Sequence, residues 1–381
     1  MIQPLKNILV IDFSQFLSGP SCTLRLADLG ADVIKIEKPI TGDICRQLYV
    51  SDLMIDGESS LFHAINRNKK SFVADIKNDI DLARIKKLIA AADVVVHNFR
   101  PGVMKRLGLD YESVKALQPA IIYASISGYG DDGAFADEPG QDLLLQAVSG
   151  LNWLSGNEGD GPVPMGASVV DTLAGTYLAQ GILAALFKKN KTGLGSSVQI
   201  NMLESSLDFQ FEVFTSFLND GQQLPARSVV NAANAYLAAP YGIYATSDGY
   251  IALAMASIPI IADLIKCGEL LSYPTPSLWF SKRDEIKKIL ANHLIKNTTA
   301  WWLSKLEPAD IWCAEVLNYE CLRKHDGYKV LDMEQEVTTT AGTVIATTRC
   351  PVKINGEVLK YPAGAPALGE HNNSITTQFN L

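Results

Sequence analysis

The sequence is poor in the residues that build metal centres. It holds five histidines and six cysteines in 381 residues. His63, His97, His293, His325 and His371 show neither HxH nor HExxH spacing, the arrangements that put two imidazoles on one ion. No metal site is expected. Cysteines 22, 45, 267, 313, 321 and 350 form no CxxC pair, so the reading is small buried thiols in a reducing compartment. The GxSxG elbow of serine hydrolases is absent. The first strand-to-helix turn, DFSQFLSGPS, has one Gly followed by Pro. It lacks the GxGxxG glycines that let a backbone approach a pyrophosphate, which argues against NAD or FAD even though Glu37 ends the second predicted strand. Net charge is −8, unsuited to a general nucleic-acid surface. No apolar run approaches the roughly 20 residues that span a bilayer, and MIQPLKNILVIDFS carries no cleavable signal pattern. A cytoplasmic protein with no nucleic-acid or membrane partner is expected.

Hydrophobic residues make up 48 % of the chain and charged residues 19 %, enough apolar material for a substantial core. The opening reads as a β-α-β unit. NILVIDF (7–13) is a continuous apolar run, as in a strand buried on both faces. A loop over 14–20 follows, then a helix over 22–30 ending on Gly30, then a strand over 31–38. FVADI (72–76), DVVVHNF (93–99) and AIIYASISGYG (120–130) read as further strands alternating with helices. That alternation predicts a doubly wound parallel sheet. A long helix is expected from Asp171 to about Lys188, and a single helix over 204–218. PYGIYATSDGYIALAM turns at Ser-Asp-Gly, a hairpin signal. From 328 onward the chain is β-rich.

The basic residues are placed unevenly. Residues 1–110 hold 15 Lys and Arg against 13 Asp and Glu, so anion binding belongs in the first third. Lys38 and Arg100 directly follow predicted strand ends, and Arg67, Lys69, Lys70, Lys105 and Arg106 lie close to others. In open α/β sheets ligands bind at the carboxyl ends of strands. Cations gathered there suit a ligand with several phosphates. For each residue taken alone, a solvated surface charge is an equal alternative.

Asp171, in PMGASVVDTLAG, stands at the start of the long helix. One reading is an N-cap, whose side chain accepts a backbone N–H. A second is a nucleophile. A helix N-terminus stabilises a carboxylate and exposes N–H groups able to hold an oxyanion. A carboxylate attacking a thioester gives a mixed anhydride, itself still an activated acyl donor. The two readings are compatible.

LKNILVIDFSQFLSGPSCTLRLADLGADVIKIEKP, NRNKKSFVADI, VVVHNFRPGVMKRLGLDY, ASISGYG, GLGSSVQINMLESSL, PYGIYATSDGYIALA and APALGEH together resemble the class III coenzyme A transferases of CaiB/BaiF type, the family of formyl-CoA and carnitine CoA-transferases. The resemblance covers nearly the whole chain and is weakest between about 258 and 345. It implies a Rossmann-like large domain with a parallel sheet plus a smaller α+β domain, joined by linkers into a ring, with two rings interlocked as a homodimer. The implied divisions are 1–202 for the large CoA-binding domain, 203–235 for a helical link, 236–330 for the small domain and 331–381 for a returning segment. It implies Asp171 as the catalytic carboxylate, Asp142 as an acid that orients the site, and Gln141 as a polar neighbour. Lys38, Lys69, Asn98, Phe99, Arg106 and Met202 match positions that hold CoA. Acyl-CoA and a small carboxylic acid are the implied substrates, with succinyl-CoA a donor within the family's range and no tightly bound cofactor.

The same fold serves α-methylacyl-CoA racemases. Those need bases on both faces of the α-carbon, and a His lies in their GHD segment. Here that segment reads Gly140-Gln141-Asp142, and Gln141 is no base. Transfer is the expected chemistry and isomerisation of acyl-CoA the alternative; CoA binding without turnover is a third reading. Leu17 replaces a Gln of formyl-CoA transferase, and the glycine-run loop of that enzyme is absent.

Overall fold

The computed structural model describes residues 2–48 and 52–381. The chain divides into two compact units. Met1–Leu145, Ser168–Phe209 and Val330–Leu381 form the first, and Gln146–Ala167 with Gln210–Lys329 the second. The contribution of 146–167 to the second unit has no counterpart in the sequence reading.

The first unit is built on a parallel sheet of β1 (Leu9–Asp12), β2 (Asp32–Glu37), β3 (Lys70–Val73), β4 (Val94–His97), β5 (Ile122–Ser127) and β6 (Ser196–Asn201). Their order across the sheet is β3-β2-β1-β4-β5-β6. Val10 lies opposite Val33 and Val94. Alternation of side chains along a strand explains why an unbroken apolar run is needed. Val10, Val33, Val94 and Val96 face one cluster with Leu26, Ala174, Leu178 and Ile182. Ile11, Ile34, Phe72 and Val95 face another with Ile85, Leu88, Ile89 and Val114. Helices therefore cover both faces. The predicted doubly wound parallel sheet is present.

Helix α1 (Ser18–Asp28) starts four residues earlier than the sequence suggested. Gly19 and Pro20 fall in its first turn, where a missing N–H costs nothing. Helix α2 (Asp79–Ala91) follows β3 and is capped by Asn78. Helix α3 (Val169–Thr192) begins two residues before Asp171 and stops at Gly193, which is left-handed. By length and composition α3 could cross a membrane, which corrects the reading that no such run exists. Val170, Ala174, Leu178 and Ile182 on this helix are buried in the core of the unit. The expected single helix over 204–218 is two, Met202–Phe209 and Phe211–Asn219, broken at Gln210.

In the second unit, Gly242–Ala245 and Tyr250–Leu253 form the expected hairpin, and Cys313–Glu315 pairs with the latter strand. Tyr244, Ile251, Ile261, Leu290 and Trp302 make its core.

The C-terminal segment belongs to the first unit and lies along the free edge of β3. Val73 N–H donates to Asn372 Oδ1 at 2.8 Å, and His371 N–H to Ser71 O at 3.1 Å. An uncovered edge strand is an aggregation hazard, and this segment covers it.

Candidate active site

Strand order reverses direction between β1 and β4. The crevice beyond such a switch point is where open α/β sheets bind ligands. Here the loop after β1, Phe13–Leu17, faces the loop after β4, Asn98–Gly102. Asn98 bridges them. Its Oδ1 accepts Gln15 N–H at 2.8 Å, and its Nδ2 donates to Gln15 O at 2.7 Å and Ser18 Oγ at 3.3 Å.

Ser18 opens α1, and Asp171 meets it there. Gly175 makes the approach possible. A Cβ at this position would collide with Ser21 Oγ and the Ser18 carbonyl, so only glycine lets α3 cross α1 this closely. Asp171 is the third residue of α3, not its cap. The capping group is Asp142, whose Oδ1 accepts Val170 N–H at 2.8 Å and Asp171 N–H at 3.0 Å. The N-cap reading of Asp171 is thus replaced: a carboxylate distant in sequence does the capping and leaves the Asp171 side chain for other work. Gly140 helps deliver Asp142, because its Cα lies where a Cβ on Gly128 would come within 2.8 Å.

Burial pushes the Asp171 carboxyl up to about 6, and the charge of Asp142 pushes the same way. The Ser18 hydroxyl and backbone N–H work against both. The group is half-buried. At pH 7 it is mostly ionised yet poorly solvated, a state that favours nucleophilic use.

The structure brings Asp171 and Asp142 together and joins Asn98 to them through Ser18. Gln141 is exposed just before the helix Asp142–Val148. Lys69 lies elsewhere. Its ammonium is buried and donates to Asp12 Oδ2 at 3.3 Å, Thr23 Oγ1 at 2.8 Å, Asn66 Oδ1 at 2.9 Å and Pro20 O at 3.0 Å. Burial pulls it down to about 8 against the attraction of Asp12. Arg67 is likewise buried, paired with Asp28, and Lys70 pairs with Asp32 at 2.8 Å. These three leave the set of cations open to a phosphate. Lys38 and Arg100 are exposed at strand-end loops and Lys105 and Arg106 on the short helix Val103–Arg106, and none of them forms an ion pair among the described residues. Met202 is buried in the core. Leu17 packs against Phe62 and Ile65. Glu37 is bound by Arg46 through Nε at 2.8 Å and Nη2 at 2.7 Å and by Ser71 Oγ at 2.6 Å, so it is no free ribose acceptor.

A cavity of about 710 Å³ opens beyond β4, β5 and β6. Phe99, Arg100 and Lys105 line it together with His97, Tyr123 and Gln199. Its size is in the range of ligand sites. Burial pushes the His97 imidazole down to about 4, so it is neutral there. Sequence reasoning missed Ser18 and this polar trench. The SGP opening of a helix was the available signal for Ser18; nothing local signalled the trench.

An open parallel sheet with a half-buried carboxylate where α3 meets α1, and exposed cations after its strand ends, is an α/β architecture of the kind that binds ligands beyond the strand ends. CoA-transferase family III matches residues 5–372, and the chain belongs to that family. It is a CoA-transferase, an enzyme whose substrates are CoA thioesters and acids. It is 30 % identical over 389 residues to succinate–glutarate CoA-transferase of Agrobacterium fabrum, covering 99 % of this chain and 96 % of that one. It is 31 % identical to acetyl-CoA:oxalate CoA-transferase of Acetobacter aceti, covering 99 % and 96 %. A CaiB/BaiF family protein from Brucella suis superposes with a TM-score of 0.86 at 27 % identity, covering all of both chains. Both curated relatives are named as CoA-transferases, which supports transfer as this chain's activity.

Proposed function

We propose that the enzyme moves CoA from an acyl-CoA to a carboxylic acid through covalent intermediates on Asp171. The observation that carries this reading is a half-buried carboxylate where α3 meets α1, raised to about 6 and faced by the Ser18 hydroxyl and N–H. In the first step an Asp171 oxygen attacks the thioester carbonyl carbon. The C–S bond breaks, CoA leaves as thiolate, and an aspartyl acyl anhydride forms. The thiolate then attacks the aspartyl carbonyl, which releases the first acid and leaves an aspartyl thioester. The acceptor carboxylate attacks that carbonyl, the C–S bond breaks, CoA leaves again as thiolate, and a second anhydride forms. The thiolate finally takes the new acyl group and restores Asp171. Each step exchanges one activated acyl bond for another, so the thioester energy is kept. Backbone N–H groups near Ser18 would stabilise the oxyanions.

In this reading Asp142 holds the helix start and Gln141 contributes polarity at its edge. Lys38 and Arg106, with Arg100 and Lys105, face the phosphates of CoA; Asn98 and Phe99 shape the pantetheine path, while Met202 and Lys69 support it from the core. The relatives named for succinate and glutarate favour succinyl-CoA as donor and a dicarboxylic acid as acceptor. We extend the reading to a cytoplasmic interlocked homodimer, with 1–202, 203–235, 236–330 and 331–381 as large domain, link, small domain and return.

The test is incubation with succinyl-CoA and a panel of carboxylic acids, read by mass spectrometry of new CoA thioesters. The wild-type enzyme should form them. Asp171→Ala should form none while still binding CoA. Ordinary turnover by that variant refutes the mechanism.

A further inference from the structure

The loop from Ser14 to Ser18 is held by side chains that do not belong to it. Asp12 Oδ1 accepts Ser14 N–H at 2.9 Å. Lys35 Nζ donates to Ser14 O at 2.7 Å and pairs with Asp43 Oδ2 at 2.7 Å. Asp43 Oδ1 accepts the N–H groups of Cys45 at 2.9 Å and Phe16 at 3.3 Å. Phe16 itself sits at φ 61. A bulky L residue adopts the left-handed region only under constraint, and such residues cluster at functional sites. Both Lys35 and Asp43 are buried. An ion pair in the interior adds little stability over an apolar pair of the same shape, so burial of this one calls for another role.

We propose that Lys35 and Asp43 are positioning residues for the transfer reaction: together they fix the backbone at Ser14 and Phe16 so that Ser18 presents its donors to Asp171. The inference rests on the role of Asp171 proposed above. Lys35 grips the loop from below by a carbonyl, and Asp43 grips it two residues on by an N–H. Asn98 fixes the residue between them. Each link acts through the loop, whose Ser18 meets Asp171. Among the described residues the charge acting on Asp171 is that of Asp142, so a change in the loop alters Asp171 through Ser18 and not through a displaced charge. When the loop loosens, the Ser18 donors no longer favour the carboxylate, and the acid limb of the rate profile moves to higher pH.

The test compares the wild-type enzyme, Lys35→Met combined with Asp43→Asn so that no single charge is left buried, and Lys35→Gln combined with Asp43→Asn, with Asp171→Ala as reference. Folding is checked by circular dichroism and melting. The folded double variant should lose about tenfold or more in kcat, with KM for succinyl-CoA within about threefold, because small misplacements act on the chemical step. The acid limb of its kcat profile should rise by about half a pH unit. If the double variant does not fold, Lys35→Gln combined with Asp43→Asn, which keeps a polar pair of similar shape and again strands no buried charge, carries the same expectations in weaker form. A folded variant with wild-type kcat and acid limb overturns the positioning role, even where Asp171→Ala is inactive. Turnover by Asp171→Ala overturns the underlying mechanism instead, and the positioning role with it.

Discussion

Replacing Asp171 by Asn should abolish transfer and stabilise the protein. The carboxyl is raised from 3.8 to about 6, roughly two pH units, and each unit is worth about 1.4 kcal/mol between the two protonation states. The native fold therefore prefers the neutral acid by about 3 kcal/mol. The unfolded chain releases this proton as pH passes the model-compound range, while the folded chain holds it until about 6. Stability is lost across that window, and above it the full penalty applies. Asparagine resembles the neutral acid at every pH and keeps an oxygen to accept from Ser18. Because Asp171 is half-buried, solvent screens part of the effect, and a gain of about 2 kcal/mol at pH 8 is expected. In a unit of this size that raises the melting temperature by roughly 5 °C. Scanning calorimetry of both proteins from pH 4 to pH 8 should show the two melting curves close together at the acidic end, separating between pH 4 and pH 6, and holding a constant gap above that. Other carboxylates titrate in both proteins and cancel in the difference. Should the variant melt at or below wild type at pH 8, or should the gap be equal at both ends, burial of a penalised charge is refuted.

Asp142→Asn keeps an oxygen for the helix cap but removes the charge that raises Asp171, so the acid limb of kcat/KM should move to lower pH in a pH–rate profile. Gly175→Val should cost about 3 kcal/mol in denaturant titration, since α1 must be pushed away. Arg106→Ala should raise KM for acyl-CoA roughly tenfold with kcat nearly unchanged, and added salt should narrow the difference between variant and wild type.

How far the molecule could be read in advance depended on how local each signal was. NILVIDF and DVVVHNF became β1 and β4 because a strand buried on both faces needs only an apolar run. The hairpin at 242–253 followed from one turn. Asp171 was legible as a carboxylate at a helix start, but its freedom from capping was not, because the group that caps α3 is Asp142, 28 residues before Val170. Arg67 and Lys69 looked like surface cations for the same reason. Their partners, Asp28 and Asp12, lie 39 and 57 residues back, and no spacing rule reaches that far. The expected helix 204–218 failed at Gln210 because two apolar helical stretches in succession carry no mark of the break between them.

The fastening of His371 and Asn372 along β3 has a consequence for biosynthesis. Residues 70–73 leave the ribosome long before the segment that shields them, and Gly369 N–H must still reach Ser71 Oγ at 2.9 Å. The border of β3 stays bare until residues 369–372 have been made. A nascent chain would wait with an open, pairing-competent border, and cutting the chain ahead of Gly369 would leave the folded unit in that same exposed condition.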